Sequence, residues 1–278
     1  VKLFTGLVSI TFRNLSPRDL VELVARAGMD GFEWGGDVHV PHGDENRAKE
    51  VRTLTEQAGL KTACYGSYYH LGLKDTDRKT PFGDNPDFHS VLDTALCLGA
   101  PMIRVWAGKI ASKNATEEDR QCVISDTFRC ADLCRGTGVQ LAFEYHGNTL
   151  TDTIESGRAL VEATRHPQVT TLWQPPNCQP KDHCLASLES VVDTVSNVHV
   201  FHWLCRSGQI DRRPLNEGED RWLDYLQRLQ KTGRDRWALI EFVSGGKPEQ
   251  FLEDAATLKR WIEKLEEWVS SPNSHDDC

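Results

Sequence analysis

Eight short apolar segments, each followed by a stretch long enough for an amphipathic helix, succeed one another along this chain. That alternation constrains the fold more than any motif does, because strand-length runs separated by helix-length segments build parallel sheets through βαβ crossovers. The runs fall near 3–10, 30–34, 60–66, 101–106, 138–144, 169–174, 197–203 and 236–242. Several of the intervening helices carry readable start signals. Ser16-Pro17 sets a capping hydroxyl before proline at the first helical position, and Thr116 precedes Glu117, Glu118 and Asp119, whose charges suit the positive end of a helix dipole. Eight βα units in roughly 250 residues predict an α/β fold of the (β/α)8 TIM barrel type, with reactive groups at the C-terminal ends of the strands. An open doubly wound sheet fits less well, since no glycine-rich dinucleotide turn follows the first run and no shift in composition marks a second domain. The expected organisation is one barrel over 1–269 and a polar tail over 270–278.

Four of the last four runs end on polar side chains: Glu144, Gln174, His199 and Glu241. Four convergent strand ends offer oxygen and nitrogen donors to one divalent cation. Strand parity supports an inward set, because residues two apart share a face and only one face lines a barrel. Glu144 shares its face with Ala142, Gln174 with Leu172, His199 with Phe201 and Glu241 with Leu239, while Phe143 points outward. In the fourth run Arg104 shares a face with Trp106. A guanidinium inside a barrel requires a carboxylate, and Glu33 and Glu144 are the candidates.

Composition narrows the function classes. A net charge of −9 argues against a surface built to neutralise nucleic-acid phosphates. The longest apolar runs are strand-sized, far short of the roughly 18 residues a membrane-spanning helix needs, and no signal peptide is read, so the expectation is a cytoplasmic protein without a membrane partner. Nine cysteines occur without a CxxC pair. An odd count without a framework points to reduced thiols, with a surface disulfide left open.

The residues carry a family resemblance. Gly31-Phe32-Glu33-Trp34-Gly35-Gly36-Asp37-Val38-His39-Val40-Pro41, Ile103-Arg104-Val105-Trp106-Ala107-Gly108, Phe143-Glu144-Tyr145-His146-Gly147, Asn197-Val198-His199-Val200, Pro214-Leu215-Asn216-Glu217-Gly218-Glu219-Asp220 and Ile240-Glu241-Phe242 follow one another in order and spacing. Together they resemble the sugar phosphate isomerase/epimerase family with the xylose isomerase-like barrel, in the superfamily that also contains endonuclease IV. The resemblance implies one divalent metal ion (Mn, Mg, Zn or Co) held by Glu, Asp, His and Glu from strands five to eight. Glu144, His199 and Glu241 match three of those positions. The sixth departs, with Gln174-Pro175-Pro176-Asn177 where the family shows aspartate and, three residues on, histidine. Gln174 still offers a carbonyl oxygen but one negative charge is lost.

With a metal bound, an α-hydroxy carbonyl compound chelates through adjacent oxygens, Glu144 and Glu241 form the proton-transfer pair, and an enediolate intervenes. The outcome is isomerisation or epimerisation of a sugar, keto-sugar or inositol-derived polyol, and dehydration of an inosose shares the first step. Glu33, His39, Trp106, His202 and Arg206 are the candidate substrate contacts, Glu33 doubling as the partner of Arg104. Trp34 and Trp173 are further candidates to stack on a ring, and Tyr68, Tyr69 and His70 to form a wall. Gly245-Gly246-Lys247 after the eighth run is a weak phosphate signal, so a neutral substrate is favoured. Two alternatives stand beside this reading. One is a barrel that binds sugar without turnover, with Gln174 as the mark of a degraded site. The other is an endonuclease IV-like phosphodiesterase, which needs more metal ligands and a basic face. Oligomeric state is left open, a homo-oligomer included.

Overall fold

The computed structural model describes residues 1–74, 78–81, 83–207 and 209–270. Eight parallel strands close into one barrel: β1 (Leu3–Val8), β2 (Gly31–Gly35), β3 (Lys61–His70), β4 (Met102–Trp106), β5 (Gln140–Glu144), β6 (Val169–Trp173), β7 (Val195–Val200) and β8 (Arg236–Ile240). Each pairs with its neighbours in sequence, and β8 closes on β1 with Ile240 opposite Leu7. The helices that follow the strands in turn are α1 (Pro17–Ala27), α2 (Glu45–Gln57), α3 (Phe88–Leu98), α4 (Glu117–Cys134), α5 (Ile154–Ala163), α6 (Lys181–Glu189), α7 (Glu219–Lys231) and α8 (Pro248–Ser270). The start signals work as the residue types dictate. Ser16 and Thr116 each accept from the backbone N–H three residues on, and Asp19 and Asp119 return the bond, which completes two capping boxes.

Alternation along the strands sorts the side chains into two layers. Ala142, Leu172 and Leu239 join Val8, Cys64, Met102 and Trp106 in a cluster inside the barrel, whereas Phe143, Trp173, Val198 and Ile240 pack outward with the helices. Trp34 and Trp173, expected among the stacking candidates, are fully buried in that outer layer and serve as core.

Several boundaries differ from the sequence expectation. The first run does not stay extended to residue 10, since Ser9–Phe12 wind into a 3-10 turn. The seventh run splits: β7 stops at Val200, and His202–Arg206 instead pairs antiparallel with Gln209–Arg213 in a hairpin above the barrel end. Gln174 and Glu241 each lie one residue beyond their strands. The expected tail over 270–278 begins on the last residue of α8, and 271–278 lie outside the described residues. No described helix is long and apolar enough to cross a membrane. The thiols also need correction, because Cys178 and Cys205 form a disulfide with Cα atoms 5.2 Å apart, while Cys64, Cys97, Cys122, Cys130, Cys134 and Cys184 are free. Residues 27 apart in sequence meet only once the loops after β6 and β7 are stacked side by side.

Candidate active site at the C-terminal mouth of the barrel

Arg104 points from β4 into the barrel, where its side chain is only 2% exposed. A buried guanidinium is tolerable only beside carboxylates, and it meets both expected partners. Its Nε donates to Glu33 Oε1 at 2.7 Å and its Nη1 to Glu144 Oε2. Gly66 on β3 makes room, because a Cβ there would lie 2.8 Å from both Arg104 Nη2 and Glu33 Oε1. The Tyr68 ring covers the guanidinium with its centroid 4.6 Å away.

Glu144 is held on every side. Trp106 Nε1 donates to Oε2 alongside Arg104, and Gln174 Nε2 donates to Oε1 at 3.0 Å. Burial by itself would raise the Glu144 carboxyl; Arg104 and His199 outweigh it and hold it at about 2. Gln174 Nε2 also donates to the Tyr145 carbonyl at 2.9 Å, so both neighbours are acceptors and the amide must present nitrogen to them. The structure therefore has Gln174 positioning Glu144 through its N–H group.

His199 lies fully buried between carboxylates. Its Nε2 lies 3.0 Å from Glu33 Oε2, so the Nε2 hydrogen is donated there and Glu33 spends one oxygen on His199 and the other on Arg104. The opposite ring nitrogen, Nδ1, is buried with no hydrogen-bond partner, 3.8 Å from Glu144 Oε1 and 3.5 Å from Glu241 Oε2. Burial would lower the imidazole, but Glu241 and Glu33 outweigh it and push it up to about 10. The environment thus favours the protonated ring. Among the described residues no three His, Cys, Asp or Glu side chains stand in metal-binding geometry.

The structure brings Glu33, Trp106, Glu144, Gln174, His199 and Glu241 together, with Arg104 at their centre. It does not bring in the other three candidates. His39 is buried with Nδ1 2.9 Å from Ser9 Oγ and its ring edge-on to Trp34. His202 and Arg206 line a separate cavity of about 490 Å³ with Pro175, Trp203, Arg221 and Tyr225. The Arg206 side chain is 71% exposed and lies 3.7 Å from Asp211. Of the expected wall, Tyr68 reaches the barrel interior, whereas Tyr69 turns outward to bond Asp126 on α4 at 3.0 Å and His70 lies edge-on to Trp106. The bonds from Trp106 to Glu144 and from His199 to Glu33 went unread in the sequence. Both residues were candidates, but only the closed barrel sets strands β2 and β7, or β4 and β5, at the required depth.

The chain belongs to the xylose isomerase-like TIM barrel family, whose model matches residues 21–264. The 3-dehydroshikimate dehydratase of Bacillus anthracis is 25% identical over 169 residues, 59% of this chain, and the chain spans 59% of that relative's length. Two solved structures share the fold. The 3-keto-D-glucoside 4-epimerase of E. coli superposes with a TM-score of 0.71 at 17% identity, covering 95% of this chain and 100% of that one. The IOLI protein, described with a binding zinc atom, gives a TM-score of 0.73 at 14% identity over 95% and 99% of the two chains.

Proposed function

We propose that this member of the xylose isomerase-like TIM barrel family is a metal-dependent isomerase or epimerase of a sugar, keto-sugar or inositol-derived polyol, acting by proton removal next to a carbonyl. The observation that carries the reading is the convergence of Glu144 Oε1 and Glu241 Oε2 on the unpartnered Nδ1 of His199. Metal–ligand bonds of about 2.1 Å set neighbouring donors roughly 3 to 3.5 Å apart, so each carboxylate oxygen needs to approach Nδ1 by only a few tenths of an ångström at most. The bond from the other ring nitrogen to Glu33 supports the same assignment, since an imidazole that ligates through one nitrogen commonly donates the other N–H to a carboxylate. Glu144, His199 and Glu241 are the residues that would hold a divalent ion, of which the zinc in a structural neighbour is one example. Such an ion supplies Lewis acidity to a carbonyl oxygen and its neighbouring hydroxyl.

The two glutamates then play unequal parts. Glu144 has both oxygens engaged by Arg104, Trp106 and Gln174, which keeps it ionised and fixed. Glu241 has His199 as its recorded ion-pair partner among the described residues, so it is the freer carboxylate to take a proton from carbon. Isomerisation and water elimination need one mobile proton at this stage, whereas epimerisation also needs an acid on the opposite face. The clamp on Glu144 therefore favours a second reading within the same chemistry, elimination of water, and the similarity to a dehydratase lends it weight. The test is solvent exchange: in deuterium oxide with manganese present, a panel of ketoses and inososes is screened by NMR for loss of the C–H signal beside the carbonyl. A true substrate exchanges only with enzyme and metal together. A panel that binds without exchange would leave a sugar-binding barrel instead.

A further inference from the structure

Glu241 faces the barrel interior, so alternation directs the next side chain outward to the helices. Phe242 breaks that rule. Its φ of 51° is left-handed, an unusual and strained choice for a bulky aromatic residue, and it turns the ring onto the inner cluster at the barrel mouth. A bond from the Phe242 N–H to Thr11 Oγ1 at 3.0 Å holds the turn.

The ring so placed carries a guanidinium. Arg212 Cζ lies 4.4 Å from the Phe242 centroid and 5.7 Å from that of Trp203, its cross-strand partner in the hairpin. Three arginines of this hairpin can be compared. Arg213 forms two bonds of 2.9 Å to Glu217, and Arg206 lies 3.7 Å from Asp211. Arg212 has no recorded hydrogen bond or ion pair among the described residues, although Asp211 precedes it in the chain. Its flat faces rest on aromatic rings while its N–H edges stay unspent, which is the arrangement that presents a fork to a planar two-oxygen anion. The hairpin that carries it is tied by Cys205 to Cys178 in the loop after β6, so the arm is fixed on both sides of the mouth.

The charge distribution adds a direction. Arg104 in the centre is already paired with Glu33 and Glu144, whereas a negative substituent at the rim meets the unpaired guanidinium of Arg212. We propose that Arg212 recognises a carboxylate on the substrate, with Phe242 and Trp203 as the platform under its ring or chain. The substrate class is then a polyhydroxy or keto carboxylic acid, held with its carboxylate at the rim and its carbonyl end toward His199. A single guanidinium matches a single negative charge; a phosphate dianion calls for a second basic group, and Arg206 and Arg213 are engaged with acids. For its catalytic meaning the assignment rests on the isomerase or dehydratase reading, but its test does not.

The test is binding of quinate and of its uncharged methyl ester, which differ in the carboxylate charge, followed by calorimetry and by intrinsic tryptophan fluorescence. A charged hydrogen-bonded contact is expected to favour quinate by about tenfold or more. Arg212→Gln should abolish the preference and Arg212→Lys should keep part of it, both with unchanged thermal unfolding because the side chain is exposed. Equal binding of the two probes, an Arg212→Gln variant that still prefers quinate, or a preference lost instead in Arg206→Gln would overturn the proposal. So would inorganic phosphate displacing quinate more tightly than acetate does. Quinate preference without deuterium exchange on any keto acid would leave the carboxylate assignment standing and remove the catalytic reading.

Discussion

Replacing Arg104 with Met removes one positive charge and leaves two carboxylates buried around the gap, with side chains of Glu33 and Glu144 at 0% and 3% exposure. At an effective dielectric of about 20, each pair with charge centres about 4 Å apart contributes roughly 4 kcal/mol, and desolvation of the guanidinium offsets several kcal/mol of the sum. The Glu144 carboxyl gives an independent figure. Its folded value of about 2 against an ordinary 4.5 corresponds to about 3 kcal/mol of stability. That contribution is fully present above pH 4.5 and is lost as pH falls through about 2, the sign expected for a depressed acid. In Arg104→Met the sign reverses, because His199 alone is left to balance the buried carboxylates and burial then makes them bind protons more readily folded than unfolded. The variant should therefore lose about 3 to 5 kcal/mol at pH 7, with the deficit shrinking as the pH is lowered toward 4.5. Urea unfolding followed by circular dichroism at both pH values measures this. A loss below 1 kcal/mol at pH 7, or one that does not shrink in acid, would refute the account of Arg104 as the charge that holds the centre together.

Other expectations follow from the same geometry. Glu241→Gln should stop solvent exchange by several orders of magnitude with the fold intact, while Glu144→Gln should chiefly weaken metal binding, the two effects being separated by exchange NMR and calorimetry. His199→Ala should cost manganese affinity by at least about a hundredfold in calorimetry; unchanged affinity would place the ion elsewhere. Trp106→Phe keeps an aromatic ring but removes the N–H that Glu144 accepts, so turnover should fall by about ten to a hundredfold, with a loss of about 1 to 3 kcal/mol in stability from the vacated donor. Reduction of Cys178–Cys205 should expose two further thiols to a thiol reagent under native conditions and destabilise the chain by up to about 3.5 kcal/mol, as opening a loop of 27 residues predicts.

The barrel was legible in the sequence because its information is local. Eight runs of period two between segments of helical length fix the number of strands, and parity alone put Ala142, Leu172 and Leu239 inside and Phe143 outside. The same parity aimed Glu144, His199 and Glu241 at one axis and demanded a carboxylate for Arg104. Where a backbone leaves the regular strand, parity stops carrying information. Phe242 and Tyr68 adopt left-handed φ of 51° and 54°, and both turn inward where alternation sends at least Phe242 out. The hairpin from His202 to Arg213 likewise moved His202 and Arg206 to a cavity that Trp203 also lines, and laid Arg212 over Phe242. Which hydrogen bond each polar group makes was decided only by closure of the barrel. Gln174 faces Glu144 with nitrogen because two acceptors meet it there, and Glu33 reaches His199, 166 residues away in sequence, because β1 and β8 are all that stand between β2 and β7 in the ring. A sequence specifies which side chains can point inward; the depth and angle at which they meet depend on strand stagger and twist, which exist only once all eight strands have paired.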